Sequence, residues 1–368
     1  MIFTLFVPSF ASAAPAQAQA SGKKPGAVDE RILQMKELVA QQQAILDSTP
    51  SLSPELQKLK GDEEVSVIVQ LSEPPVALEQ AKNEIAGKAF TSSKKQSVKK
   101  KVASQQATFE KSLSSKKVKY SKGFTYNEVF NGMSLSVKAS ELDTLLNVDG
   151  VVSVSLDTEV YALETPKKSP SLRDGVVDSF MEDSTPHLGV PALWDLGFKG
   201  KGIKVAVLDT GIDYDHPFFA DTYKGGFNFI PHTGNDYARE RDFEDGYETS
   251  PLDRPSHRPE FNANGSSFYT THGTHVAGTI VHLAPEIDLY SYRVLGAYGS
   301  GATAGIIAAI EKSVVEGMDI INLSLGGGGN NQDDPGAIAI NNATLAGVTA
   351  VIATGNSGPN RGTIGNPA

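Results

Sequence analysis

Asp209 and His272 are the residue types in this chain best arranged for joint chemistry. Asp209 closes the apolar run VAVL and precedes the tight-turn pair Thr210-Gly211. A carboxylate at the C-terminal end of a buried strand lies where α/β sheets place their sites. It can accept a hydrogen bond from an imidazole N–H, fix the ring's tautomer and stabilise the imidazolium that forms during proton transfer. Taken alone, the triplet Asp-Thr-Gly also reads as the start of an Asx turn. His272 opens HGTHVAGT. Gly273 lets another backbone approach closely, and Thr274 to Ile280 continue as a buried helix. His272 and His275 together invite a metal reading, but HGTH lacks the glutamate of the HExxH zinc motif. His275 is therefore assigned a structural role, and His272 the proton transfer. An Asp–His pair of this kind serves a nucleophile, and the expectation is a hydrolytic centre.

The elements that must hold this pair are legible in the hydrophobic pattern. Ile203–Leu208, Asp288–Val294, Ile320–Leu325 and Val348–Ala353 read as apolar strands. Helical runs lie between them at about 271–281, 302–317 and 334–346. Buried strands alternating with helices predict a parallel α/β sheet flanked by helices.

The first half of the chain has another texture. Asp29–Asp47 carries a helical stripe, and Pro50–Asp62 reads as a linker. Val65–Leu71 (VSVIVQL) is a strand ended by Pro74-Pro75, and a polar helical stretch fills about 76–118. Tyr126–Phe130, Asn131-Gly132 and Met133–Val137 form a predicted hairpin. Ser140–Asn147 is a short helix, and Val151–Leu156 a last strand. Strand, helix, strand, strand, helix, strand is the ferredoxin-like order. Glu164–Ser184 is rich in Pro, Ser and charge and reads as an exposed linker open to nicking.

With 368 residues, 39% hydrophobic and 21% charged, the chain suits about two globular domains. A net charge of −10 argues against a nucleic-acid partner. Lysines crowd 94–122, and acids crowd an insertion at about 231–270 with Asp236, Glu240, Asp242, Glu244, Asp245, Glu248 and Asp253. That insertion reads as a solvated surface loop. There is no cysteine, so disulfides and thiolate chemistry are excluded. No membrane span is expected in the remainder of the chain. The apolar start and the Ala-x-Ala sites in ASAAPAQAQA resemble the tail of a secretory signal peptide, although a basic n-region is missing.

VAVLDTGID, HGTHVAGT, NLSLG and ATGNSGP occur in one order, and together they resemble the subtilisin-like serine peptidases (subtilases, family S8). The resemblance covers about 185–368, with a layout similar to large extracellular or cell-envelope bacterial subtilases. It implies a subtilisin-like parallel sheet, incomplete at its C-terminus, in which Asp209 is the triad aspartate and His272 the general base. It implies that Asn356 donates its side-chain amide to the oxyanion, a contact worth about 3–4 kcal/mol of barrier by measurements from this same family. Gly299, Ser300 and Gly301, facing Ser324, Leu325 and Gly326, would add strands to an extended peptide substrate. The family often carries an acidic calcium ligand where Phe218 stands, and a calcium loop where Ile280–Leu283 runs directly into Ala284-Pro285; neither is expected here, and no metal or cofactor is predicted. The region 64–162 resembles the inhibitor-like propeptide of the family, a small α+β domain that would act as an intramolecular partner. The expected organisation is a signal-peptide remnant at 1–20, a linker and helical segment at 21–63, the propeptide at 64–162, a cleavable linker at 163–184, and the N-terminal part of the catalytic domain at 185–368.

The resulting expectation is a secreted or cell-envelope serine endopeptidase precursor acting on protein and peptide substrates, whose attacking serine lies beyond Ala368, since no GTS-like segment of the kind the resemblance implies follows Asn356. The competing expectation is a non-catalytic peptide-binding or inhibitory protein without a nucleophile. On the first reading, an active-site serine probe should leave the 368-residue chain unlabelled. Burst-phase acylation of that chain would contradict it.

Overall fold

The computed structural model describes residues 30–163, 180–230, 246–249, 254, 256, 258–328, 331 and 333–368. The signal-peptide segment, residues 164–179 of the predicted linker, and Asp236, Glu240, Asp242, Glu244, Asp245 and Asp253 lie outside them. In chain order the first elements are α1 (Glu30–Leu46), β1 (Ser51–Leu52), β2 (Glu64–Leu71), α2 (Val76–Ile85), α3 (Ser92–Ser115), β3 (Tyr120–Tyr126), β4 (Gly132–Lys138), α4 (Leu142–Leu146) and β5 (Val151–Leu156). There follow β6 (Glu159–Ala162), α5 (Phe180–His187), α6 (Val190–Asp195), β7 (Lys204–Asp209), β8 (Tyr223–Asn228), α7 (His272–Leu283) and β9 (Asp288–Arg293). The last are β10 (Ser300–Ala302), α8 (Thr303–Val315), β11 (Ile320–Leu323), β12 (Leu325–Gly326), α9 (Pro335–Leu345) and β13 (Thr349–Ile352). These form two compact units. The first comprises Met1–Thr158, Ile310–Asp319 and Asn331–Ala350, the second Glu159–Ala309, Ile320–Asn330 and Val351–Ala368.

In the first unit the sheet order is β1-β5-β2-β4-β3, which contains the ferredoxin-like arrangement the sequence predicts. Val67, Val69, Phe109, Leu113, Leu135 and Val154 are part of its core. Pro75 precedes α2 at its N-cap, where its missing N–H costs nothing, and the Thr91 hydroxyl caps α3 by accepting from the Lys94 N–H at 3.3 Å. Two sequence expectations change. Pro50–Asp62 is no free linker: β1 adds parallel to β5, and Leu56 is fully buried in the core. The apolar positions Leu52, Leu56 and Leu59 recur at helical spacing in an otherwise polar run, and packing them recruits the segment. The hairpin also departs from the Asn-Gly turn, because Tyr126 pairs with Gly132 and the connection runs over 127–131.

That longer loop has an electrostatic cause. The Glu311 carboxylate accepts the backbone N–H groups of Asn127, Glu128, Val129 and Phe130 at 2.6–3.1 Å. Burial raises the Glu311 pKa while the four donors pull it back. The Asn342 amide donates to the Val129 carbonyl at 2.8 Å. Asn131 donates to the Glu73 carbonyl at 2.8 Å rather than occupying a two-residue turn. Lys95 and Lys99, from the lysine-rich stretch, pair with the buried Glu128 carboxylate. Helix α1 packs with α2 and α9, where Leu46, Leu78, Ala81, Val152 and Leu345 make a second apolar cluster.

The second unit is built on the parallel sheet β13-β11-β7-β9-β8. Val205, Val207, Ala277, Val281 and Leu289 pack α7 on β7 and β9. The sequence reading missed β8, whose residues Tyr-Lys-Gly-Gly-Phe-Asn carry no apolar run. It also took Ile320–Leu325 as one strand. The chain breaks at Ser324, and β12 joins a separate three-stranded sheet, β10-β6-β12. Removing the four-donor acceptor in Glu311→Ala should destabilise the first unit by about 3 kcal/mol or more. Hydrogen exchange should then accelerate at the amides of 127–130; unchanged protection there would contradict this account.

Candidate active site

Asp209 ends β7 and is fully buried. Its own carbonyl accepts the N–H groups of Val294 and Leu295 at 2.9 and 3.1 Å, which ties the strand end to its parallel neighbour. The Asp209 Oδ1 accepts the Thr210 N–H at 2.7 Å and lies 2.7 Å from His272 Nδ1. His272 is the first residue of α7, with its side chain 12% exposed. A Cβ at Gly273 would lie 2.1 Å from the Gly211 carbonyl oxygen, so only glycine lets α7 start this close to the turn leaving β7. Burial opposes protonation of His272. The Asp209 hydrogen bond and charge, the Leu163 backbone and the Glu248 charge outweigh it, and the pKa lies above its ordinary value. His275 is exposed one turn further along the helix.

Glu248 departs from the sequence expectation. It belongs to the acidic insertion, yet it is only 5% exposed. Its Oε1 accepts the Thr210 hydroxyl and, at 3.2 Å, the Gly273 N–H. Its Oε2 accepts the Thr274 hydroxyl. Burial pushes its pKa up to about 7, with the two threonine hydrogen bonds opposing and the Asp209 charge assisting. Nothing in the composition separates Glu248 from the acids around it. The available signal was the pair of threonines, one directly after Asp209 and one two residues after His272, whose hydroxyls need an acceptor.

The other predicted residues gather around β6. That strand pairs antiparallel with β10 through Tyr161 and Ser300, and with β12 through Tyr161 and Gly326. Gly299 accepts the Ala162 N–H at 2.8 Å, and Ser324 accepts the Leu163 N–H at 3.2 Å. A Cβ at Gly301 would lie 2.1 Å from the Val294 carbonyl oxygen, so this position also requires glycine. Leu163 then presents its carbonyl to the Asn356 Nδ2 at 3.4 Å, and its backbone also bonds His272. The Leu163 side chain lies against Gly326. A cavity of about 210 Å³, lined by Glu159, Ile230, Tyr298 and Gly301 among others, opens beside the strand. Phe218 is 46% exposed on a short turn. Helix α7 ends at Leu283 and β9 begins at Asp288, so the connection is short. Among the described residues, no cluster of three or more His, Asp or Glu side chains has the makings of a metal site.

An aspartate and a histidine are thus hydrogen-bonded at the end of a parallel strand, with an amide donor across an extended peptide. The Subtilase family (Peptidase_S8) profile matches residues 200–368, and that of Peptidase inhibitor I9 matches residues 66–163. The chain therefore carries a subtilase-family domain preceded by an I9 propeptide domain. It is 39% identical over 248 residues to the Minor extracellular protease Vpr of Bacillus subtilis (strain 168), covering 66% of this chain and 28% of the relative. It is 31% identical over 257 residues to Subtilisin E of the same organism, covering 64% and 57%. It is 34% identical over 279 residues to Alkaline elastase YaB of Bacillus sp. (strain YaB), covering 68% and 64%. The chain thus spans less than two thirds of the length of each of these relatives.

Glu248 and His272 give stability the same pH dependence. Glu248 titrates near 7 when folded against an ordinary 4.5, so the folded chain holds the extra proton between those values. Its stabilising contribution is complete below about 4.5 and is lost as pH rises through 7. The raised pKa of His272 acts in the same direction at its own, higher window. Glu248→Gln removes the first window, worth up to about 3 kcal/mol. The melting temperature of the wild type relative to this variant should fall between about pH 5 and about pH 8. A difference that stays constant across that range would contradict the buried-carboxylate assignment.

Proposed function

We propose that the full-length protein is a secreted serine endopeptidase precursor, in which Asp209 and His272 serve a serine supplied by sequence that follows residue 368. The observation that carries this reading is the Leu163 carbonyl, held toward the Asn356 amide and His272 by strand pairing of β6. That is the posture of a peptide about to be attacked. In the reaction, His272 takes the serine proton as the oxygen attacks the peptide carbonyl, and Asp209 holds the ring and stabilises the imidazolium. The Asn356 Nδ2–H donates to the oxygen as negative charge develops on it. His272 then protonates the leaving amine, and water releases the acyl group by the reverse relay.

The same contacts account for inhibition by the propeptide. Gly299–Gly301 and Ser324–Gly326 pair with β6 as they would with any extended substrate, so Leu163 stands in the acyl position, with its side chain against Gly326. Glu311 and Asn342, both within the subtilase match, hold residues 127–130 of the I9 match inside the first unit. Export is supported by the alanine-rich N-terminal segment and by the word extracellular in the name of the Vpr relative. No described helix is long and apolar enough to cross a membrane.

In the full-length enzyme, Asp209→Asn and His272→Ala should each lower kcat by about four orders of magnitude, with KM little changed. Asn356→Ala should cost about 10²–10³ in kcat. His275→Ala, at an exposed position, should leave kcat and thermal stability nearly unchanged, which corrects the structural role the sequence suggested. A His272→Ala enzyme with near-normal turnover would overturn the assignment. A full-length protein that binds peptides without cleaving them would favour the binding-protein reading.

A further inference from the structure

The geometry points to Glu248 as a positioning residue for the Asp209–His272 pair, one that joins the turn after the aspartate to the first turn of the histidine helix. This inference rests on the reading of that pair as the acid–base relay. The hydrogen-bond directions carry it. The Thr210 hydroxyl oxygen accepts the Gly273 N–H at 2.9 Å, and the Thr274 hydroxyl oxygen accepts the Asp213 N–H at 2.8 Å. Each hydroxyl thereby keeps its proton for the Glu248 carboxylate. One buried group thus receives both hydroxyls and, in addition, the Gly273 N–H. Thr210 directly follows Asp209 and Gly273 directly follows His272, with Thr274 one residue further on, so every anchor lies within two residues of a member of the pair.

Helix α7 depends on this arrangement at its start. Thr271 precedes it without a side-chain cap, and the His272 N–H reaches the Thr270 hydroxyl at 3.1 Å. Glu248 and Thr210 together supply the acceptors that a capping side chain would give, and an anionic acceptor suits a helix N-terminus. Glu248 is itself held rigidly. Residues 246–248 bridge to Ile212, with Ile212 N–H to Gly246 at 3.0 Å and Glu248 N–H to Ile212 at 3.1 Å. The buried Arg293 donates to the Thr249 hydroxyl at 2.6 Å and to the Tyr247 carbonyl at 3.5 Å. The Tyr247 hydroxyl reaches Asp213 at 3.3 Å. Among the described residues, the charged and titratable groups near Glu248 are Asp209 on β7, His272 on α7, Arg293 on β9, and Asp213 and Tyr247 on the adjoining loops. Once Glu248 is ionised, above about pH 7, its negative charge adds to the field that favours imidazolium at His272.

The role separates from plain structural support by what happens at His272. In the 368-residue chain, the His272 Nδ1–H proton resonance and the imidazole titration can be followed by NMR without turnover. Glu248→Ala should weaken or broaden that resonance and lower the His272 midpoint. Glu248→Gln keeps one acceptor oxygen for Thr210 and Gly273, while its NH2 must donate to the Thr274 hydroxyl oxygen; it should retain the resonance and still lower the midpoint. In the full-length enzyme, Glu248→Ala should reduce kcat on the order of tenfold to a hundredfold with KM changed less than about threefold. Glu248→Gln should recover most of that loss, with the acid limb of its pH profile moved to lower pH. Should Glu248→Ala fail to fold, Thr274→Val removes one arm and should reproduce a smaller version of its effects. A drop in melting temperature with His272 resonance, titration and kcat all unmoved would overturn the proposal. An inactive full-length wild type would instead refute the peptidase reading, and the NMR comparison alone would then decide the role of Glu248.

Discussion

The second unit depends on one close approach. The first turn of α7 meets the turn leaving β7 with no room for a side chain at Gly273, and that contact brings His272 Nδ1 to 2.7 Å from Asp209 Oδ1. Parallel pairing of β7 with β9 and β11 fixes where Asp209 emerges. The apolar packing of Ala277 and Val281 fixes how α7 lies on the sheet. Neither would set the ring's position within a few tenths of an ångström without hydrogen bonds at the joint itself. A proton relay needs that precision, because misplacing a catalytic group by about 1 Å can cost on the order of a hundredfold in rate.

Strand β6 is held by backbone. Strand β6 sits between β10 and β12, and its partners Gly299, Ser300, Gly301, Ser324 and Gly326 contribute carbonyls, N–H groups and little bulk. Main-chain pairing of this kind tolerates many side chains, so it depends little on the sequence of β6. Selectivity then falls to the few places where side chains meet walls, such as Leu163 against Gly326. The first unit holds the rest of the propeptide by different means. There Glu311 gathers four N–H groups of one loop, and α1, which lies N-terminal to the I9 match, adds apolar contact with α2 and α9.

Much of this was legible in the sequence because the signals are local. An apolar run ending in Asp-Thr-Gly announces a strand with a carboxylate at its tip, and HGTHVAGT announces a glycine-gated helix. The ferredoxin-like order followed from alternating strand and helix patterns. What escaped was set by distant partners. Leu56 looked like part of a linker because its core neighbours are far away in sequence. The 127–131 loop looked like an Asn-Gly turn because Glu311 lies about 180 residues further along. Tyr223–Asn228 is a strand by virtue of its pairing with β9, not its composition. Glu248 looked like one solvated acid among many, and only the fold shows two threonines converging on it.

The central claim is that the Leu163 carbonyl occupies the position of the scissile bond. Full-length precursor should be allowed to mature, and both products analysed by intact mass and terminal sequencing. The account predicts a propeptide that ends at Leu163 and a mature chain that begins at Glu164. A primary cut elsewhere in 164–184, made while Leu163 remains joined to Glu164, would contradict it.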